Sequence, residues 1–275
     1  MTTSLFEAVD PVNIDKITDL LLAKYKFDLR NYAPMFLNRR IVYIMQKYKV
    51  SNVNEFINRL LDANFFQQFL SDFIVCGTDF FRDTSVWEQL IKTITEWFSE
   101  KKQFRVWFPE CGTGEELYSF TIFIKENSFY DKCLITASTI SAEKIAYIKK
   151  GMYEGRAEHF DLANYTKLEF KSPAFTYFKI IDTAFQLNLG LLDNVQFESM
   201  PNVLQKKEND FDLILFRNVM LMYNKPYQIN VLENIYKSLR HDGLLIIGVN
   251  EQLLSPDIEN KFKMINKEGR IYQKI

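Results

Sequence analysis

The chain has 275 residues, 47% hydrophobic and 25% charged. That composition excludes a disordered protein and leaves room for more than one domain of about 150 residues. Its 34 Lys and Arg against 35 Asp and Glu give a net charge of −1, which excludes non-specific coating of nucleic acid, since that needs a cationic excess to displace counterions.

Taken in chain order, residues 1–72 read as helices. Val12 to Leu22 spaces its apolar residues for one helical face, and Tyr32 to Tyr48 does the same with Met35, Phe36, Ile41, Ile44 and Met45. Ser51 is a candidate cap for a third helix carrying Phe56, Ile57, Leu60 and Leu61. The N-terminus lacks the basic, apolar and cleavage-site order of a secretory signal. Cys76, Cys111 and Cys133 are widely spaced and odd in number, with only His159 and His241 besides. Neither a disulfide framework nor a Cys/His metal site is expected.

From about residue 104 the pattern becomes short apolar runs alternating with amphipathic stretches. Phe104 to Phe108, Cys133 to Ala137, Phe211 to Leu215 and Leu244 to Val249 read as strands. The first three are followed by helices over 115–126, 142–150 and 225–240. This alternation predicts an α/β fold with a parallel sheet covered on both faces. Between 164 and 200, Leu168 to Phe170, Thr176 to Ile181 and Val195 to Phe197 suggest a small β-subdomain. No apolar run approaches the roughly 18 residues that span a bilayer, so no membrane insertion is expected and the cytoplasm is the expected location.

The turn Glu110-Cys111-Gly112-Thr113-Gly114-Glu115-Glu116 follows the first strand. Gly112 and Gly114 let the backbone turn tightly and approach a ligand. Glu110 can meet a cationic or hydroxylated group, whereas Glu115 and Glu116 at the helix start would repel phosphate. The turn therefore suits a nucleoside bearing positive charge, and S-adenosylmethionine is such a molecule. It suits equally a helix start whose acids are favoured by the macrodipole.

The wider sequence resembles the CheR family of chemotaxis methyltransferases. The resemblance rests on Thr78-Asp79-Phe80-Phe81-Arg82, Glu110 to Ser119, and Phe211 to Met220 with its Arg217-Asn218-Val219-Met220. Gly151-Met152-Tyr153, Asp242 to Gly248 with Glu251, Phe27-Asp28-Leu29 and Leu37-Asn38-Arg39-Arg40-Ile41 support it. It implies an all-α N-terminal domain over 1–72, a linker over 73–84 carrying the Thr78–Arg82 motif, and a Rossmann-like methyltransferase domain over 85–275. It implies a protein-glutamate O-methyltransferase using S-adenosylmethionine and releasing S-adenosylhomocysteine. By the same resemblance Thr78, Arg82, Glu110, Gly112, Gly114, Glu116, Thr139, Asn202 and Asn218 surround the cofactor. Arg82 would orient the substrate carboxylate by charge-assisted hydrogen bonds, and Tyr223 would shape the methyl path. Arg39 and Arg40 belong to a basic face that meets an acidic helical partner, a chemoreceptor or related signalling protein. Nucleic acid is not an expected partner.

The chain departs from the family at three places. Where the family has Ala-Ser-Asp-Ile-Asp, it has Ala137-Ser138-Thr139-Ile140-Ser141, replacing an acid that holds the ribose hydroxyls. Losing that contact costs about 2 kcal/mol, or roughly thirtyfold in affinity. Pro201 stands where the family has an asparagine near adenine, with Asn202 one position away, and Gly112 and Leu117 replace a Ser and a Pro. Two rival readings follow: a relative that keeps the fold as a protein-binding module, and a methyltransferase acting on another acidic substrate.

Overall fold

The computed structural model describes residues 9–74, 79–153, 162–200, 204, 206, 210–253 and 255–275. Thr78, Pro201 and Asn202, expected around the cofactor, lie outside the described residues, as do Cys76 and His159.

The first four helices are α1 (Pro11–Tyr25), α2 (Pro34–Lys47), α3 (Val53–Leu60) and α4 (Ala63–Phe73). Asp10 caps α1 by accepting from Asn13 N–H at 3.0 Å, and Pro11 takes the first position, where a missing N–H costs nothing. The cap of α3 is Asn52 rather than Ser51. Asn52 Oδ1 accepts from Glu55 N–H at 3.0 Å while Ser51 N–H donates to Glu55 Oε2 at 2.8 Å, a reciprocal arrangement one residue later than expected. Helix α4 buries Phe65, Phe66, Phe69, Leu70 and Phe73 along one side.

The α/β part runs α5 (Thr84–Phe98), β1 (Phe104–Phe108), α6 (Glu115–Glu126), β2 (Cys133–Thr139), α7 (Ala142–Lys150), β3 (Met152–Tyr153), α8 (Leu162–Lys167), β4 (Phe178–Ile181), β5 (Ala184–Leu187), β6 (Val195–Ser199), β7 (Phe211–Phe216), α9 (Lys225–Ser238), β8 (Leu239–Ile247), α10 (Pro256–Glu259), β9 (Phe262–Asn266) and β10 (Ile271–Lys274). The main sheet has the order β6-β2-β1-β7-β8-β10-β9. Its first five strands are parallel, and β10 and β9 close it antiparallel. Strand side chains alternate between two cores. Leu245 and Ile247 of β8 join α9 and the N-terminal helices, whereas Leu244 and Ile246 join α5 and α6.

The region of the expected β-subdomain differs in detail. Val195–Ser199 is the edge strand of the main sheet, paired in parallel with β2 (Ile135 opposite Val195). The small sheet is β3-β5-β4 and recruits Met152 and Tyr153. Leu168 to Phe170 is not a strand: Glu169 takes a positive φ of 49° and turns the chain, so that Phe170 packs on Tyr165 and Phe81.

Sequence order reverses its direction in the sheet between β1 and β7. From β1 the chain proceeds outward to β2 and β6, then returns across to β7 and β8. Open α/β sheets bind ligands beyond the carboxyl ends of the strands at such a reversal.

Candidate active site

The turn after β1 is built around a buried carboxylate. Glu110 Oε1 accepts from Gly112 N–H at 3.0 Å, and its Oε2 accepts from Ile140 N–H at 3.2 Å. Glu110 thus braces the turn after β1 against the turn after β2. Gly112 and Gly114 adopt φ of 55° and 94°, and a Cβ on Gly114 would lie 2.8 Å from Ile148 Cγ1. Burial raises the Glu110 carboxyl above its ordinary range, opposed first by the Lys144 charge and then by the Thr139 hydroxyl nearby. Burial also pushes the Cys111 thiol well up, so it stands as a neutral group and not a nucleophile.

Across the reversal, Arg217 directly follows β7, and its side chain is 1% exposed. Its Nη1 donates to Glu116 Oε1 at 2.5 Å, and its Nη2 donates to Asp83 Oδ2 at 2.9 Å and to the Arg82 carbonyl at 3.2 Å. A buried guanidinium requires such partners. Burial raises the Glu116 carboxyl, and Arg217 is the strongest influence pulling it back. Asp83, at the N-terminus of α5 with φ 56°, makes no side-chain cap and serves Arg217 instead. The segment carrying Arg82 is fixed at several points: Phe81 N–H donates to Ser119 Oγ at 2.8 Å, and Trp87 Nε1 donates to the Arg82 carbonyl at 3.0 Å. The Arg82 side chain itself remains 38% exposed at the cleft, with its Nε 3.9 Å from Asp83.

Asp79, Arg82, Glu110, Cys111, Glu116, Arg217 and Asn218 together enclose a cavity of about 20 Å³, room for about one water. Asn218 has φ 60°. It is held by Glu251, whose carboxylate accepts from Asn218 N–H (2.9 Å), Met220 N–H (2.8 Å) and Gly248 N–H (2.7 Å). Thr139 at the end of β2 and Ser141 just before α7 are fully buried, and neither hydroxyl has a hydrogen-bond partner of good geometry among the described residues.

The structure thus gathers Arg82, Glu110, Glu116 and Asn218 around one cleft, with Gly112 and Gly114 forming its turn and Thr139 closing the neighbouring strand. Tyr223 is elsewhere in the same loop. It is buried, bridges by its backbone to Tyr32, and packs its ring 5.3 Å from Tyr32 and 4.9 Å from Tyr227. Arg39 is exposed, whereas Arg40 is half-buried and donates to the carbonyls of Asp72 and Phe73 at the end of α4. Arg217, Asp83 and Glu251 were not singled out as site residues by sequence reasoning. The signal for Arg217 was present, since it adjoins Asn218 in a quoted motif; nothing local marks Asp83 as its partner.

The donor set suits an amino-acid-bearing nucleoside. Glu116 offers a carboxylate to an ammonium and Arg82 an exposed guanidinium at the same cleft, while the Thr139 hydroxyl ends β2 and the Ser141 hydroxyl precedes α7. Among the described residues no group of His, Cys, Asp and Glu could hold a metal ion, and no helix is long and apolar enough to cross a membrane. Fold and site together define an α/β methyltransferase. Residues 77–271 match the CheR methyltransferase SAM binding domain, and residues 13–74 match its all-alpha domain. The chain belongs to the CheR methyltransferase family. It is similar to a Pseudomonas putida protein carrying the methyltransferase name Cher3, at 26% identity over 96% of this chain and 97% of that one. The chemotaxis protein methyltransferase of Listeria monocytogenes is 26% identical over 83% of this chain and 86% of its own. That of Escherichia coli is 23% identical over 94% and 89%.

Proposed function

We propose that the protein methylates glutamate side chains on a chemoreceptor or related signalling protein, with S-adenosylmethionine as donor and S-adenosylhomocysteine as product. The observation that carries this reading is the charge cluster Arg82, Glu116 and Arg217 at the sheet reversal, in a chain of this family. The cofactor supplies an electrophilic methyl group on a positively charged sulfur. Glu116 receives the ammonium of its amino-acid end. Arg82, the exposed guanidinium, orients the incoming glutamate carboxylate. That carboxylate is ionised near neutral pH and is itself the nucleophile, so the site needs no strong general base. Arg217 keeps Glu116 and the Arg82 backbone in register. Arg39 supplies an exposed positive charge for an acidic partner, while Arg40 supports α4.

The narrow cleft, with Thr139 and Ser141 in place of acids, favours a second reading as a binding module that keeps the fold. Calorimetric titration with S-adenosylhomocysteine separates the two. Micromolar binding, with Arg82→Ala abolishing transfer to receptor glutamates while binding persists, is the expected result. No heat and no thermal stabilisation at millimolar ligand would sink the enzyme reading.

A further inference from the structure

We propose that Asp83 is a positioning residue of this site: its carboxylate shares the buried Arg217 guanidinium with Glu116, and so leaves on Glu116 the negative charge that receives a ligand ammonium. The inference rests on the methyltransferase reading above. Arg217 pairs through Nη1 with Glu116 Oε1 at 2.5 Å and through Nη2 with Asp83 Oδ2 at 2.9 Å. Two acids thus face one buried cation. One carboxylate balances a guanidinium, and neutral oxygens can meet its remaining N–H groups, as the Arg82 carbonyl does at 3.2 Å from Nη2. The second acid is surplus to the needs of Arg217. The backbone departs from local preference to place it there. Asp83 has φ 56° and ψ 68° and makes no side-chain cap to α5, the commonest use of an aspartate at a helix start.

Arg217 does not depend on Asp83 for its place. Its Cζ lies 5.9 Å from the centroid of the Trp87 ring, and Trp87 Nε1 donates to the same Arg82 carbonyl. What Asp83 changes is charge. Asp83 and Glu116 against Arg217 leave one negative charge, which an ammonium neutralises. Without the Asp83 charge, Arg217 and Glu116 already cancel, and an ammonium enters a largely buried cleft uncompensated. Among the described residues no donor but Arg217 hydrogen-bonds to the Glu116 carboxylate, so its second oxygen faces the ligand. The other charges around the cavity do not take over this role. Arg82 is itself a cation, 3.9 Å from Asp83, and Glu110 is engaged by Gly112 N–H and Ile140 N–H. Asp79 is exposed, where solvent screens its charge.

The test uses the full chain with Asp83→Asn, which tolerates the same left-handed backbone and keeps an oxygen for Arg217 but carries no charge. The ligands are S-adenosylhomocysteine and its analogue lacking the α-amino group. In calorimetry, Asp83→Asn weakens S-adenosylhomocysteine binding about tenfold at pH 7 and changes binding of the deaminated analogue by less than about twofold. Equal losses for the two ligands mark a merely structural role and overturn the proposal. The second readout needs no ligand: the 13C resonance of the Glu116 carboxyl, assigned by its loss in Glu116→Gln. Burial raises that carboxyl, Arg217 pulls it back, and the Asp83 charge pushes it up again. In Asp83→Asn it titrates at lower pH than in the wild type, and an unshifted titration overturns the proposal. If the wild type itself gives no heat with either ligand, the methyltransferase reading fails, while the Glu116 resonance still decides whether Asp83 sets the charge of the cleft.

Discussion

Glu251 shows how much of the site rests on one side chain that does not itself line the cavity. It accepts three backbone N–H groups from the ends of β7 and β8, and through Asn218 it sets one wall of the cleft. Gly248 is required beside it. A Cβ there would lie 2.8 Å from Asn218 Oδ1 and 2.9 Å from both Asn218 N and Glu251 Oε2. Gly248→Ala should therefore push Asn218 out of place, costing about 1–3 kcal/mol of stability and weakening S-adenosylhomocysteine binding; denaturant unfolding and calorimetry report the two effects separately. A pH effect belongs at this scale too. Burial raises Glu110, Glu116 and Glu251 above the ordinary value of 4.5. A carboxyl raised on folding holds a proton that the unfolded chain releases. The stability it contributes is full below 4.5 and declines as pH rises through the folded value. Unfolding free energy measured upward from pH 4.5 should fall less steeply in Glu251→Gln than in the wild type. An unchanged slope would show that Glu251 does not titrate in this range.

Among elements, those with strong local signals were legible. The strand Phe104–Phe108 and the helices over 115–126 and 142–150 match their sequence expectations, because each is an apolar run or an amphipathic repeat with a clear start. Helices α4 and α5 were not singled out. The aromatic run Asn64-Phe65-Phe66-Gln67-Gln68-Phe69-Leu70 takes its helical form by burying against α2, α3 and α7, a reason that lies outside its own sequence. The hairpin of β9 and β10 was missed for the same reason, since Phe262–Asn266 is a partly exposed edge and gains its register only from Ile271–Lys274 beside β8. Leu168 to Phe170 shows the opposite failure. Its apolar residues look like a strand, yet they are the contacts of a turn.

Over the whole molecule, the helical part and the sheet share one core. Ala33 N–H donates to the Met222 carbonyl at 2.8 Å, Asn224 N–H donates to the Asn31 carbonyl at 3.0 Å, and Tyr32 packs on Tyr223. The loop after β7 thus reaches from Arg217 and Asn218 in the cleft to the N-terminal helices. Deleting residues 1–74 would expose Met222 and Tyr223 of the loop and Tyr227, Val231 and Leu232 of α9, all buried in the core that they share with those helices. The truncated chain should aggregate or melt well below the full chain in a thermal scan. A shortened chain that kept the full-length melting temperature would show the shared core to be dispensable.

The amino-acid sequence by itself determined the class of fold, the glycine turn after the first strand and the family, because these depend on periodicity and on motifs read within a few residues. It also exposed the hydroxyl residues Thr139 and Ser141 where the family has acids. Only the tertiary structure decided that Arg217 pairs with both Glu116 and Asp83, and that Arg40 donates to the end of α4. Those residues are far apart in the chain. Their charges are buried, and a buried charge is stable only beside a partner that folding brings to it.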